Sequence, residues 1–218
     1  MKKCAIVVFV LGALLLIEAC GNTNAISLAR EDAFTLSLGK LENQLDFFFD
    51  KHSPRLIPNT IYFDDGLVYV ANGNARKLMT FTSFGELTLL LYNPRFNPEP
   101  VFLKKANPEA DDGRIISRRA IATGFRELGG VSVDSHKNIY VVDTADVPDP
   151  EEPRYRKVIK RFDRMGNPLD TIGRDGPDGA PFPAIDDLYL TLNDELVAVA
   201  RTGEGSAVYW FDHEMKPR

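Results

Sequence analysis

From residue 33 onward the chain is built of short alternations of apolar and polar positions, the period-2 signature of half-buried strands. Phe34, Leu36 and Leu38 alternate with Thr35, Ser37 and Gly39 and predict a first strand. Residues 40–50 fit two templates. Leu41, Leu45 and Phe48 lie at helical spacing, whereas Phe47, Phe48 and Phe49 in succession suit a buried strand. Beyond Pro58 the pattern repeats three times, in units that begin near Ile61, Val131 and Leu188. Each unit reads as strand, tight turn, strand, loop, strand. In the first two, a glycine-containing turn then leads to a fourth strand. Asp65-Gly66 and Gly166-Asn167 supply the positive-φ residues that short hairpin loops require.

Tyr69, Tyr140 and Val197 are the matched positions of the three units, and they lie further apart than the about 40 to 50 residues of one four-stranded propeller blade. Two proline-dense insertions account for the excess. Residues 93–124 contain Pro94, Pro98, Pro100 and Pro108, and residues 148–156 contain Pro148, Pro150 and Pro153. Proline supplies no ladder donor, so both insertions are expected outside the sheets.

The units resemble the blades of NHL-type β-propellers, on Val133-Asp134, on the run from Asn138 to Asp143, and on Phe162-Asp163 with Gly166. The first unit keeps Tyr69 but has Asn72 and Thr82 in place of the two aspartates, and the third keeps only Phe211-Asp212. The resemblance implies an all-β fold, a β-propeller of NHL-like four-stranded blades over residues 33–218. The third unit stops where its fourth strand would begin, so the propeller is expected to be incomplete at the C-terminus, as in the N-terminal part of a longer protein. A ring completed by a second copy is the other reading.

The N-terminus predicts location. Lys2 and Lys3 precede an apolar run from Cys4 to Ile17, which is short for a membrane span and suits a signal peptide. Ile17, Ala19 and Cys20 resemble a bacterial lipobox, from which Glu18 departs. The expected organisation is a signal peptide over 1–19, lipidation at Cys20, a tether over 20–32, and export to the bacterial cell envelope with the membrane as a partner.

Composition narrows the chemistry. The net charge of −5 gives no bulk reason to bind nucleic acid. The only cysteines are Cys4 and Cys20, so the mature domain is expected to have neither a disulfide nor a thiolate site. His52, His136 and His213 share no short spacing and read as surface turns. The run Asp175-Gly176-Pro177-Asp178-Gly179 resembles a calcium loop in composition, but Pro177 stands at a ligand position, so a turn is expected and no metal or cofactor. The strand aromatics read chiefly as core. The local excess of positive charge is Lys104, Lys105, Arg114, Arg118 and Arg119, within the first insertion. These residues form a candidate loop for an anionic partner.

Two functions follow as expectations. The first is a lipid-anchored envelope propeller that binds or assembles a protein, peptide or glycan. The alternative is a metal-dependent, lactonase-like propeller hydrolase with a cation in the central channel, for which Asp134, Asp143 and Asn72 are the repeat-related ligand candidates.

Overall fold

The computed structural model describes residues 29–47, 59–104, 118–145 and 156–218. The chain divides into two compact units, Met1–Asp32 and Ala33–Arg218. Of the first, only residues 29–32 are described, so the signal peptide, Cys20 and most of the tether lie outside the described residues.

The described residues of the second unit are all-β, in three open sheets. Strands β1 (Asn59–Asp64), β2 (Leu67–Asn72), β3 (Lys77–Thr82) and β4 (Leu87–Tyr92) form an antiparallel meander. A short helix α1 (Val101–Lys104) follows, and β5 (Arg119–Ala122) then joins the far edge of β4 in parallel. The second sheet contains β6 (Val131–Val133), β7 (Ile139–Thr144), β8 (Lys157–Phe162), β9 (Pro168–Gly173) and the two-residue β10 (Gly176–Pro177). The third contains β11 (Asp187–Leu190), β12 (Leu196–Thr202) and β13 (Gly205–Phe211). The matched segments around Tyr69, Tyr140 and Val197 are thus the second strands of three successive sheets. Both longer sheets also slip register at one place, between Thr80 and Phe81 and between Lys160 and Phe162.

Turn chemistry explains the repetition. Asp65 and Gly66 adopt φ of 47° and 75°, as a two-residue hairpin loop between β1 and β2 requires. A second device recurs at Thr82, Asp134, Asp163, Thr191 and Asp212. In each, the first residue's amide donates to the carbonyl four residues on. Its side-chain oxygen accepts amides two and four residues on. The fourth residue takes positive φ: Gly85, Lys137, Gly166, Asp194 and Met215. A short side chain that holds its own turn by hydrogen bonds is the reason for Asp or Thr at these places.

Three apolar layers hold the sheets. Tyr69, Leu78, Leu89 and Leu91 of the first sheet meet Val131, Ile139, Val141 and Phe162 of the second, with Phe125 and Leu128 of the linker between them. Tyr140, Val142, Ile159 and Ile172 on the second sheet's other face meet Leu188, Leu196, Ala198 and Phe211 of the third, around Phe182. Each fully buried Leu, Ile or Phe here contributes about 1.5–3 kcal/mol. The first sheet's other face carries Val70, Met79, Phe81 and Leu90, against which Phe34, Leu36, Leu45 and Phe102 pack.

The structure departs from the sequence reading at four places. Residues 33–38 alternate in burial at Phe34 and Leu36, but the segment forms only an isolated bridge, Leu38 to Leu45, and no strand. A strand needs a ladder partner, and this one has a single residue of it. Residues 41–47 are turn and bridge, neither helix nor strand, and Phe48 lies outside the described residues. The first insertion is not wholly outside the sheets. Its last residues contain no proline, which leaves Arg119–Ala122 free to pair as β5. Among the aromatics read as core, Phe63, Tyr189 and Trp210 are exposed.

Candidate functional site

The hairpin turns between the first and second strands of the three sheets are linked to one another. Lys137, in the β6–β7 turn, pairs with Asp64 and lies 3.4 Å from Asp65 of the β1–β2 turn. Ser135, beside it, donates its amide (2.8 Å) and hydroxyl (2.5 Å) to Asp194 of the β11–β12 turn. Burial works against the Asp194 anion, but the hydrogen bonds from Ser135 hold its carboxyl below the ordinary range. Along the first strands, Thr60 Oγ1 donates to the Gly129 carbonyl at 3.1 Å and Tyr62 Oη to the Val133 carbonyl at 3.4 Å. β6 therefore touches both β1 and β11.

This convergence leaves a cleft of about 950 Å³ between the first strands, lined by all three sheets. Tyr62 and Tyr189 present aromatic surface to it, and Tyr189 is half exposed. Two ion pairs mark its polar walls. Lys157 Nζ donates to Glu127 Oε2 (2.8 Å) and to Thr144 Oγ1 (2.9 Å). Arg201 makes a two-pronged contact with Asp186, at 3.1 and 2.7 Å. The buried Ser132 hydroxyl, on the same stretch of β6, has no hydrogen-bond partner among the described residues. Aromatic faces beside fixed charges and backbone groups suit an extended polar ligand such as a peptide or a sugar chain.

The linker before β6 separates this cleft from a second pocket of about 640 Å³ at the β2–β3 turn and the ends of β4, β5 and β7. Asp143 shapes it. Its fully buried carboxylate accepts the amides of Arg126 (3.0 Å) and Glu127 (2.9 Å) and the Lys160 ammonium (2.7 Å). Asn93 closes the other side, donating to the Phe125 carbonyl at 2.7 Å and accepting the Arg95 amide at 2.9 Å. The Arg76 guanidinium sits 3.6 Å from the centroid of Phe96. Burial lowers its pKa, against the attraction of Asp143 and Glu127, and Arg126 lowers it further.

The residues singled out in the sequence fall in different places. Cys20, Lys105, Arg114 and His52 lie outside the described residues, and Lys104 ends helix α1. Arg118 is exposed just before β5. Arg119 opens β5 and reaches Asn167 Oδ1 at 3.5 Å, in the turn between β8 and β9. Of these five cations, Lys104 and Arg119 lie on separate elements. Asp134, Asp143 and Asn72 do not converge. Asp134 holds the β6–β7 turn and accepts from Tyr140 Oη at 3.2 Å. Asn72 exchanges hydrogen bonds with the Asp46 backbone at 2.9 and 3.0 Å. Asn72 and Asp143, at matched positions, both pin the segment that precedes their own sheet. Among the described residues no group of three or more His, Cys, Asp or Glu side chains is placed to hold a metal ion. No described helix is long and apolar enough to cross a membrane.

The second pocket escaped the sequence reading. Its signal was an arginine at position 76 in a loop that otherwise reads Gly73-Asn74-Ala75, turn composition with one out-of-place long cation. No family model matches this sequence, and no curated protein does.

Proposed function

We propose that this chain is a lipid-anchored, NHL-type β-propeller module of the bacterial cell envelope, and that its inner cleft binds a protein segment, a peptide or a glycan. The observation that carries the reading is the joint lining of one cleft by the first strands of three successive sheets. Propellers are built by such radial repetition around a central channel. The linked inner turns and the two apolar layers between sheets support the same architecture. Cys20, behind its basic and apolar leader, supports the anchor. A lipidated cysteine carrying two or more chains gives the stable attachment that one chain does not.

The binding claim is tested with the full chain in detergent against arrays of envelope glycans and of synthetic peptides. At least one saturable ligand is expected, with affinity reduced about tenfold or more by Tyr189→Ala and by Arg201→Ala, each of which removes one cleft contact. Ligands that bind both variants as tightly as wild type would move the site elsewhere. Labelled fatty acid incorporated equally by wild type and Cys20→Ala would remove the anchor.

A further inference from the structure

The second pocket brings three arginines, from three separate stretches of chain, to one concavity. Arg76 comes from the β2–β3 turn, Arg95 from the start of the first insertion, and Arg126 from the linker before β6. Among the described residues Glu127 is the single acid of the lining, and its Oε2 is engaged by Lys157 and Thr144. Asp143, the acid just beneath, is spent on two amides and on Lys160. Among the described residues the lining holds three guanidinium groups and one carboxylate.

Arg76 is also placed in an uncommon way. It adopts φ of 52°, a left-handed conformation that glycine or asparagine takes more readily than arginine. That backbone lays its guanidinium over Phe96, where the ring face orients it while the N–H edges stay available. A planar, oriented guanidinium with further arginines around it matches the two-oxygen edge of a phosphate or carboxylate.

We propose that this pocket is a second binding site, distinct from the inner cleft, and that it takes a small oxyanion: the phosphate or carboxylate group of a compact molecule. The site needs neither the lipid anchor nor a ligand in the cleft, so it stands if the cleft reading fails.

The test is calorimetric titration of the full chain in detergent at low salt with inorganic pyrophosphate, with glucuronate, and with glucose as the neutral control. Saturable binding of at least one anion is expected, and none of glucose. Pyrophosphate alone would identify the phosphate form of the ligand, and glucuronate alone the carboxylate form. Arg76→Gly and Arg95→Gln should each raise the dissociation constant about tenfold or more, the loss expected for one charge-assisted contact. Glycine suits the backbone at 76, so Arg76→Gly is expected to fold, which its circular dichroism spectrum checks. No saturable heat with either anion up to about 10 mM would overturn the proposal. So would unchanged affinity in both variants.

Discussion

Lys77 is a fully buried cation at the start of β3, and its ammonium donates to the Leu41 carbonyl at 2.6 Å. Burial pulls its pKa from 10.5 down to about 8, against the attraction of Asp46 and Glu42. Between those values the unfolded chain binds the proton more tightly, so stability rises with pH across the window and falls as pH drops through 8. The full swing is about 3 kcal/mol. Burial pushes the Tyr69 phenol up to about 12, and stability from that source is lost only above pH 10. Lys77→Met isolates the lysine, because Tyr69 is common to both proteins. Denaturant unfolding at pH 7.5 and at pH 10 should show wild type gaining on Lys77→Met by about 2–3 kcal/mol. A difference independent of pH would mean that the ammonium is not desolvated. Nothing in the sequence announced this residue, because Lys77 reads as an ordinary polar start to an apolar strand. Its burial comes from residues 41–46, which fold over it from about thirty positions earlier in the chain.

Among the elements, the second strands are the most legible part of the sequence. Leu67–Asn72, Ile139–Thr144 and Leu196–Thr202 each follow a local turn signal and carry apolar runs that need no distant information. The strand expected at Phe34 failed for the opposite reason, since its alternation was met by packing under the first sheet and not by pairing. β5 was concealed at the proline-free end of a proline-dense insertion, and its parallel pairing to β4 depends on where the chain returns. The glycine turns permit a sharper test. Gly66 and Gly166 both have positive φ, at 75° and 83°. A Cβ at Gly66 would meet nothing within 4 Å, whereas at Gly166 it would lie 2.8 Å from side-chain atoms of Leu89 and Leu91 in the first sheet. Gly66→Ala is therefore expected to destabilise by about 1 kcal/mol, from backbone strain alone. Gly166→Ala should cost about 2–4 kcal/mol, because overpacking adds to the strain. Equal losses in thermal unfolding would show that the second sheet's turn does not press on the first sheet as described.

For the whole molecule, the three units read near Ile61, Val131 and Leu188 correspond to three successive sheets, but the sequence did not convey what gathers them. That information lies in pairs such as Asp64 with Lys137 and Ser135 with Asp194, whose members are far apart in the chain and look like ordinary turn residues when read alone. The same holds for both pockets, which are assembled from linkers and strand ends of different sheets. The inner turns of the three sheets are linked at one end and so draw the first strands around a common cleft. Asp65, His136 and Asn193 are exposed, one in each of those turns. Spin labels at these positions, introduced in pairs with Cys4 and Cys20 replaced by serine, report the distances directly. Face-to-face sheets lie about 10 Å apart. Strong dipolar broadening is therefore expected for labels at 65 and 136, and again at 136 and 193. Separations beyond about 25 Å for either pair, the value of five or more strands side by side in one flat sheet, would contradict it.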